Sequence, residues 1–125
     1  MSIPKNLKYS PSHEWVKEEG DTLLVGITDY AQKELGDLVF INLPNVGDKI
    51  SKNEAFADVE SVKAVSDIIS PVDGVVAEAN EALLDKPELI NQDAYGAWIA
   101  RVKDFSGLED LMDAAAYEEL LKKEG

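Results

Sequence analysis

Cysteine is absent from this 125-residue chain, which removes disulfides, thiolate zinc sites, iron–sulfur ligation and thiol nucleophiles together. Any thiol–disulfide chemistry must use sulfur that the chain does not encode. Histidine is nearly as scarce, with His13 alone, so a multi-histidine metal site is excluded and a Ser-His-Asp triad would rest on one imidazole. Positive charge is short as well: twelve Lys and Arg face twenty-five Asp and Glu, for a formal net charge of −13. Such a surface repels phosphate backbones and anionic headgroups, which argues against nucleic-acid and membrane partners. No apolar run nears the roughly 20 residues that span a bilayer. The start "MSIPKNLKYSPSHEW" has neither a signal-peptide core nor an Arg-rich transit pattern, so a cytoplasmic location without a targeting peptide is expected. The glycines are dispersed and form no phosphate-binding loop, and "DKPELIN" lacks the oxygen spacing of an EF-hand. No metal site is expected.

What is present suits one ordinary domain over residues 1–125, since 45% hydrophobic residues are enough for a core. "EWV" and "TLLVGI" flank "KEEGD", predicting a β-hairpin with a longer loop and Trp15 in the core. In "TDYAQKELG" a short helix near residues 29–35 is predicted, with Thr28 as N-cap and Gly36 just past its end. Tyr30, Ala31 and Leu35 are its expected buried contacts. From Asp37 to Val102, "LVFINL", "AFADVE", "VSDII", "GVVAEA" and "AWIARV" read as strands, separated by turn clusters at "PNVGDK", "SPVDG" and "DKPELINQD". Short, evenly spaced strands predict a mainly β sandwich or flattened barrel. The period then changes: Leu108, Leu111, Met112, Ala115, Leu120 and Leu121 share a helical face, with Ser106 and Glu109 spaced as a capping box. A C-terminal helix over about 107–123, lying as a lid on one sheet, is expected.

The stretch "ESVKAVSD", Glu60 to Asp67, is the one motif with unusual arrangement. If "AFADVE" and "SDII" pair, Val62 to Val65 form a hairpin tip and Lys63 points to solvent. Local turn chemistry does not demand this, because the tip has no Asn-Gly or Gly. A Schiff-base or general-base lysine needs a desolvated pocket or a neighbouring cation, and carboxylates flank this one. A protruding amine on a flexible stem instead suits attachment by an acylating enzyme. Elsewhere, Glu14, Glu34, Glu60 and Asp67 are candidates for a carboxylate pair, although an acidic surface supplies such groupings by chance. His13, between Ser12 and Glu14, reads as a hydrogen-bonded structural histidine at a sheet edge.

Five stretches occur in the order of one known family: "LKYSPSHEW", "VGITDYAQKELGDLVFINLP", "ESVKAVSD" leading to "SPVDG", "KPELIN" and "LMDAAAYEEL". From about Leu7 to Leu121 the chain resembles the H protein of the glycine cleavage system, a lipoyl carrier. The resemblance implies a lipoyl-domain-like hybrid barrel-sandwich with a short helix and a helical C-terminus. It implies lipoic acid in amide linkage on Lys63, with Glu60, Ser61, Val62 and Ala64 as recognition residues around the lysine. Ser12, Glu14 and Asp67 match positions that line a cleft for the arm.

The partners implied are a pyridoxal-phosphate-dependent glycine decarboxylase (P protein), a tetrahydrofolate-dependent aminomethyltransferase (T protein) and dihydrolipoamide dehydrogenase (L protein). A lipoate ligase or octanoyltransferase would attach the cofactor. The protein would be a bacterial, cytoplasmic carrier and not an enzyme, most simply a monomer. It would shuttle the aminomethyl group of glycine between P and T in one-carbon metabolism. The alternative within this resemblance is a protein that relays lipoyl groups to other lipoate-dependent complexes. A biotin carrier is disfavoured, because Val62 and Ala64 stand where methionines normally flank the lysine. An enzyme using Glu14 and Asp67 would turn over without any lysine modification. Asp73 stands where a serine is common, and Glu34 where some relatives have histidine. "INQDAYGAWIARV" is shorter than usual before Trp98 and lacks a proline–tyrosine pair.

Overall fold

Alternation with period two places one set of side chains on each face of a strand, and this governs the architecture. The protein is described by a computed structural model over residues 3–124. Met1, Ser2 and Gly125 of the expected domain lie outside the described residues. The strands are β1 (Lys8–Tyr9), β2 (Glu14–Glu19), β3 (Thr22–Ile27), β4 (Leu38–Asn42), β5 (Lys49–Ile50), β6 (Ala55–Ser61), β7 (Val65–Ile69), β8 (Asp73–Ala79) and β9 (Ala100–Ser106). The helices are α1 (Asp29–Leu35), the single turns α2 (Ala82–Asp85) and α3 (Leu89–Gln92), and α4 (Ala114–Glu124). Six strands form one antiparallel sheet in the order β1-β2-β3-β9-β8-β5, and three form a second in the order β4-β6-β7. Among the described residues, no helix is long and apolar enough to cross a membrane.

The inward faces of the two sheets meet in a core that includes Val16, Leu23, Val25, Ile41, Val59, Ile68, Val76 and Val102. Each such side chain contributes about 1.5–3 kcal/mol when fully buried. The alternate residues of β2 and β3 face the other way: Trp15 and Leu24 join Leu7, Tyr9 and Tyr117 in a second cluster beneath α4. Trp15 pairs across the ladder with Gly26, and a Cβ at Gly26 would stand 2.6 Å from the indole ring. Its Nε1 donates to the Ala94 carbonyl at 3.0 Å, so ring, glycine and loop lock together.

The β2–β3 hairpin is tighter than its sequence suggested. Glu19 pairs with Thr22, leaving only Gly20, at φ 61, and Asp21 as the loop; the polar residues "KEE" continue the strand because it borders solvent. Within the "DKPELINQD" cluster the chain forms the turn α3, which buries Ile90, and just before it the turn α2 ends at Asp85 and buries Leu83. β9 starts at Ala100, two residues after Trp98.

The C-terminal helix begins at Ala114 and not near residue 107. Gly107 is left-handed, at φ 89, and opens only a 3₁₀ turn over Leu108–Asp110. Met112 then exchanges backbone hydrogen bonds with Tyr9, both at 2.8 Å, an extended pairing that no helix permits. Ser106 belongs to β9, and the cap is Asp113, whose Oδ1 accepts from the Ala116 N–H at 2.9 Å. Tyr117 fixes the helix to the sheet: its hydroxyl is 2.7 Å from Thr28 Oγ1 and its ring stacks on Tyr9 at 4.7 Å. Tyr117→Phe should therefore cost about 1–3 kcal/mol, since it leaves the buried Thr28 hydroxyl without this partner; urea unfolding of the two proteins measures it, and an unchanged midpoint contradicts the assignment.

Candidate functional site

The lysine motif forms the predicted hairpin tip. β6 and β7 pair out to Glu60 and Val65, and Ser61 closes the turn with its own side chain: Oγ accepts from the N–H groups of Lys63 and Ala64, both at 3.1 Å. The Ser61 N–H donates to the Ala64 carbonyl at 2.8 Å. This hydroxyl supplies what Asn-Gly supplies in tighter turns. Lys63 is exposed, and among the described residues its ammonium has no ion-pair partner. Its stem crosses Gly36, where a Cβ would lie 3.2 Å from Lys63 Cε. Val62 and Val65 beside it are 67% and 69% exposed, an apolar collar that the fold itself does not need.

A cleft of about 290 Å³ opens beside this hairpin, lined by residues of the loop before β2, of α1, of β6 and β7, and of the end of α4. The structure brings Ser12, Glu14 and Asp67 together there, with Glu34 and Glu124 also on the wall. Glu60 is excluded, because Val59 occupies the inward position of β6 and turns its neighbour outward. The cleft floor is apolar, with Ile27, Ala31, Leu35, Val59 and Ile68.

Glu14 is the unusual group, 3% exposed. Burial pushes its pKa up to about 7 against the opposing pull of the Ser10 and Ser12 hydroxyls. Those hydroxyls donate to Oε1 at 2.6 and 2.5 Å. Placement of Ser10, Ser12 and Glu14 depends on His13, which adopts φ 74, a left-handed backbone uncommon outside glycine. His13 Nδ1 lies 2.9 Å from the Tyr117 hydroxyl and Nε2 lies 2.9 Å from Glu124 Oε1, and the ring packs on Tyr30 at 4.7 Å. It is the hydrogen-bonded histidine expected from the sequence, and it ties the end of α4 to the cleft wall. Four acidic side chains, Glu14, Glu34, Asp67 and Glu124, against one imidazole give the wall an acidic character that favours a cation over an anion.

Ser10 and Gln32 were not singled out from the sequence, whereas Asp73 and the short loop before Trp98 were. Ser10 gave no signal beyond its spacing of four from Glu14. Gln32, buried in place of the expected Tyr30, is explained by its bond to Asp29 at 2.8 Å and by an amide partner on α3. Asp73 accepts from the Lys52 N–H at 2.9 Å, and the short loop before Trp98 is closed by Asp93, whose carbonyl accepts from Gly96 and Ala97.

Two antiparallel sheets packed face to face, with a lysine at the exposed apex of one hairpin, define a lipoyl-domain-like barrel-sandwich. A crystal structure of a glycine cleavage system H protein from Mycobacterium marinum superposes with a TM-score of 0.88, at 39% identity over 94% of this chain and 97% of that one. The sequence model of the family described as glycine cleavage H-protein matches residues 7–124. The chain belongs to that family. Similar relatives include the glycine cleavage system H proteins of Halothermothrix orenii, 54% identical over 98% of both chains, and of Thermus thermophilus, 54% identical over 99% of both.

Proposed function

We propose that this chain is the lipoyl carrier of a glycine cleavage system, modified by amide linkage on Lys63, a protein on which partner enzymes act. The observation that supports it best is an exposed lysine, with no ion-pair partner among the described residues, at the tip of a hairpin beside a cleft walled by acidic side chains. The residues fit the group: the lysine amine is accessible to an acylating enzyme, and the cleft joins an apolar floor to carboxylate and hydroxyl groups. When attached, lipoic acid would supply the thiols that the sequence lacks, on which the aminomethyl unit of glycine travels.

The chain's own residues bind and shield. Ile27, Leu35, Val59 and Ile68 exclude water from the floor, and Ser12, Glu14 and Asp67 face an ammonium. Glu14, half-protonated near neutrality, gives up its proton more readily when a cation stands beside it, so a cation in the cleft offsets part of the cost of the buried charge. The −13 surface suits basic rims around the active sites of the P, T and L proteins. Lipoate ligase or octanoyltransferase would meet the collar of Glu60, Ser61, Val62 and Ala64. The protein would work in the cytoplasm as a monomer.

Intact mass and peptide mapping of protein expressed with lipoate, in parent and Lys63→Arg forms, test this directly. A lipoyl adduct on Lys63 is expected in the parent alone, with both proteins equally folded to within about 0.5 kcal/mol, because the position is exposed. An unmodified parent, in the presence of a ligase that modifies another lipoyl domain, would sink the carrier reading.

A further inference from the structure

The lysine turn is held from outside its own hairpin. Val62 N–H donates to the Asp37 carbonyl at 3.0 Å, across from the junction between α1 and β4. The two neighbours of Asp37 are gripped by one side chain, twenty-eight residues beyond the lysine. Asn91 Nδ2 donates to the Gly36 carbonyl at 3.0 Å, and Asn91 Oδ1 accepts from the Leu38 N–H at 2.9 Å. The second Nδ2 hydrogen goes to Gln32 Oε1 at 2.9 Å, and Gln32 in turn donates to Asp29 at 2.8 Å. Both donors and the acceptor of the amide are thus engaged, a pattern that only a carboxamide satisfies. Gly36 itself sits at φ 84, ψ −164, a backbone region open essentially to glycine alone. The absent Cβ leaves the surface on which Lys63 Cε and Val62 Cγ2 lie. Immediately before it, Glu34 and Leu35 form part of the cleft wall.

We infer that Asn91 is a positioning residue for the lysine: it clamps Gly36, Asp37 and Leu38 into a fixed seat under the Val62–Lys63 turn. The seat sets the direction in which the amine is presented for acylation, and it aims the root of the arm along the last turn of α1 toward the cleft. This function of the seat rests on the reading of Lys63 as the acylated residue, while the clamp itself is independent of it. Holding a reacting group in one orientation raises its rate, and loosening the seat spreads the lysine over many directions.

Amide hydrogen exchange on the full, unmodified chain tests the clamp, comparing parent, Asn91→Ala, Asn91→Asp and a control, Asn80→Ala. Asn80 also ties a backbone carbonyl, that of Trp98 at 2.8 Å, but belongs to a different part of the fold. Exchange at Val62 is read against the core amides of Val25 and Val102 in the same sample, which removes any general loss of stability. Asn91→Ala should speed Val62 about tenfold or more relative to the core, Asn91→Asp should do so less because it keeps the acceptor for Leu38, and Asn80→Ala should not. The same proteins are then acylated with lipoic acid, ATP and a lipoate ligase. A loss of about tenfold in kcat/KM is expected for Asn91→Ala and none for Asn80→Ala. Unchanged relative exchange at Val62 overturns the clamp, and faster exchange with parental acylation overturns its role in presenting the lysine. A parent that is not acylated at all defeats the carrier reading instead, and the exchange data still decide whether Asn91 holds the turn.

Discussion

Replacing Glu14 by glutamine should stabilise the protein by about 3 kcal/mol at pH 8 and by under about 1 kcal/mol at pH 5. The carboxyl is raised from an ordinary 4.5 to about 7, with burial as the leading cause. Its proton is therefore held more tightly in the folded chain than in the unfolded one. Below about pH 4.5 both states are protonated and the group contributes no difference. Between 4.5 and 7 the unfolded chain ionises first, so stability falls as pH rises; above 7 the penalty is constant. At roughly 1.4 kcal/mol per pKa unit the whole step is about 3 kcal/mol. Glutamine keeps the shape and removes the charge, so its stability curve should lack this fall. Urea unfolding at four pH values between 4 and 8 provides the check. Parallel curves for the two proteins would mean that Glu14 ionises in the empty cleft without cost, and the cation preference argued above would lose its main support.

Trp15→Ala is expected to cost about 3–5 kcal/mol, the range for truncating a large buried aromatic, because the side chain is 1% exposed and its Nε1 holds the Ala94 carbonyl. Gly26→Ala should cost about 2–3 kcal/mol by overpacking, since its Cβ would meet the indole at 2.6 Å. The informative result is the double variant. With the ring gone, the new methyl has room, so the pair should cost at least about 1 kcal/mol less than the two single changes added together. Denaturant midpoints with unchanged slopes measure all three. Strict additivity would show that the indole is not what limits a side chain at position 26.

Much of the sheet was legible because alternation writes itself into the sequence. "AFADVE" places its buried residues, Ala57 and Val59, at every second position, as β6 does, and the unbroken apolar run "TLLVGI" suits β3, which is buried on both faces. Thr28 and Gly36 marked both ends of α1 correctly, since capping is local chemistry. The C-terminus misled for the opposite reason: Leu108, Leu111 and Met112 have helical spacing, yet a left-handed Gly107 and pairing of Met112 with Tyr9 divert the backbone. That pairing joins residues about a hundred positions apart, and no local window holds both. In the site, Lys63 was visible as an odd motif, and Ser12, Glu14 and Asp67 through family resemblance. The depth at which Glu14 is buried, the left-handed His13 and the grip of Asn91 on both sides of Asp37 arise only from tertiary contact.

The end of α4 has a practical bearing on how the protein is handled. Glu124 forms part of the cleft rim and bonds to His13, so a purification tag fused after Gly125 would be tethered one residue from the opening. Ile3 and Lys5 border the other end of the same helix, beside Asp113 and Ala114, about 16 Å away by helical rise. An affinity handle at the N-terminus leaves the rim clear, and assays on C-terminally tagged protein would report the tag's obstruction along with the chain's own behaviour.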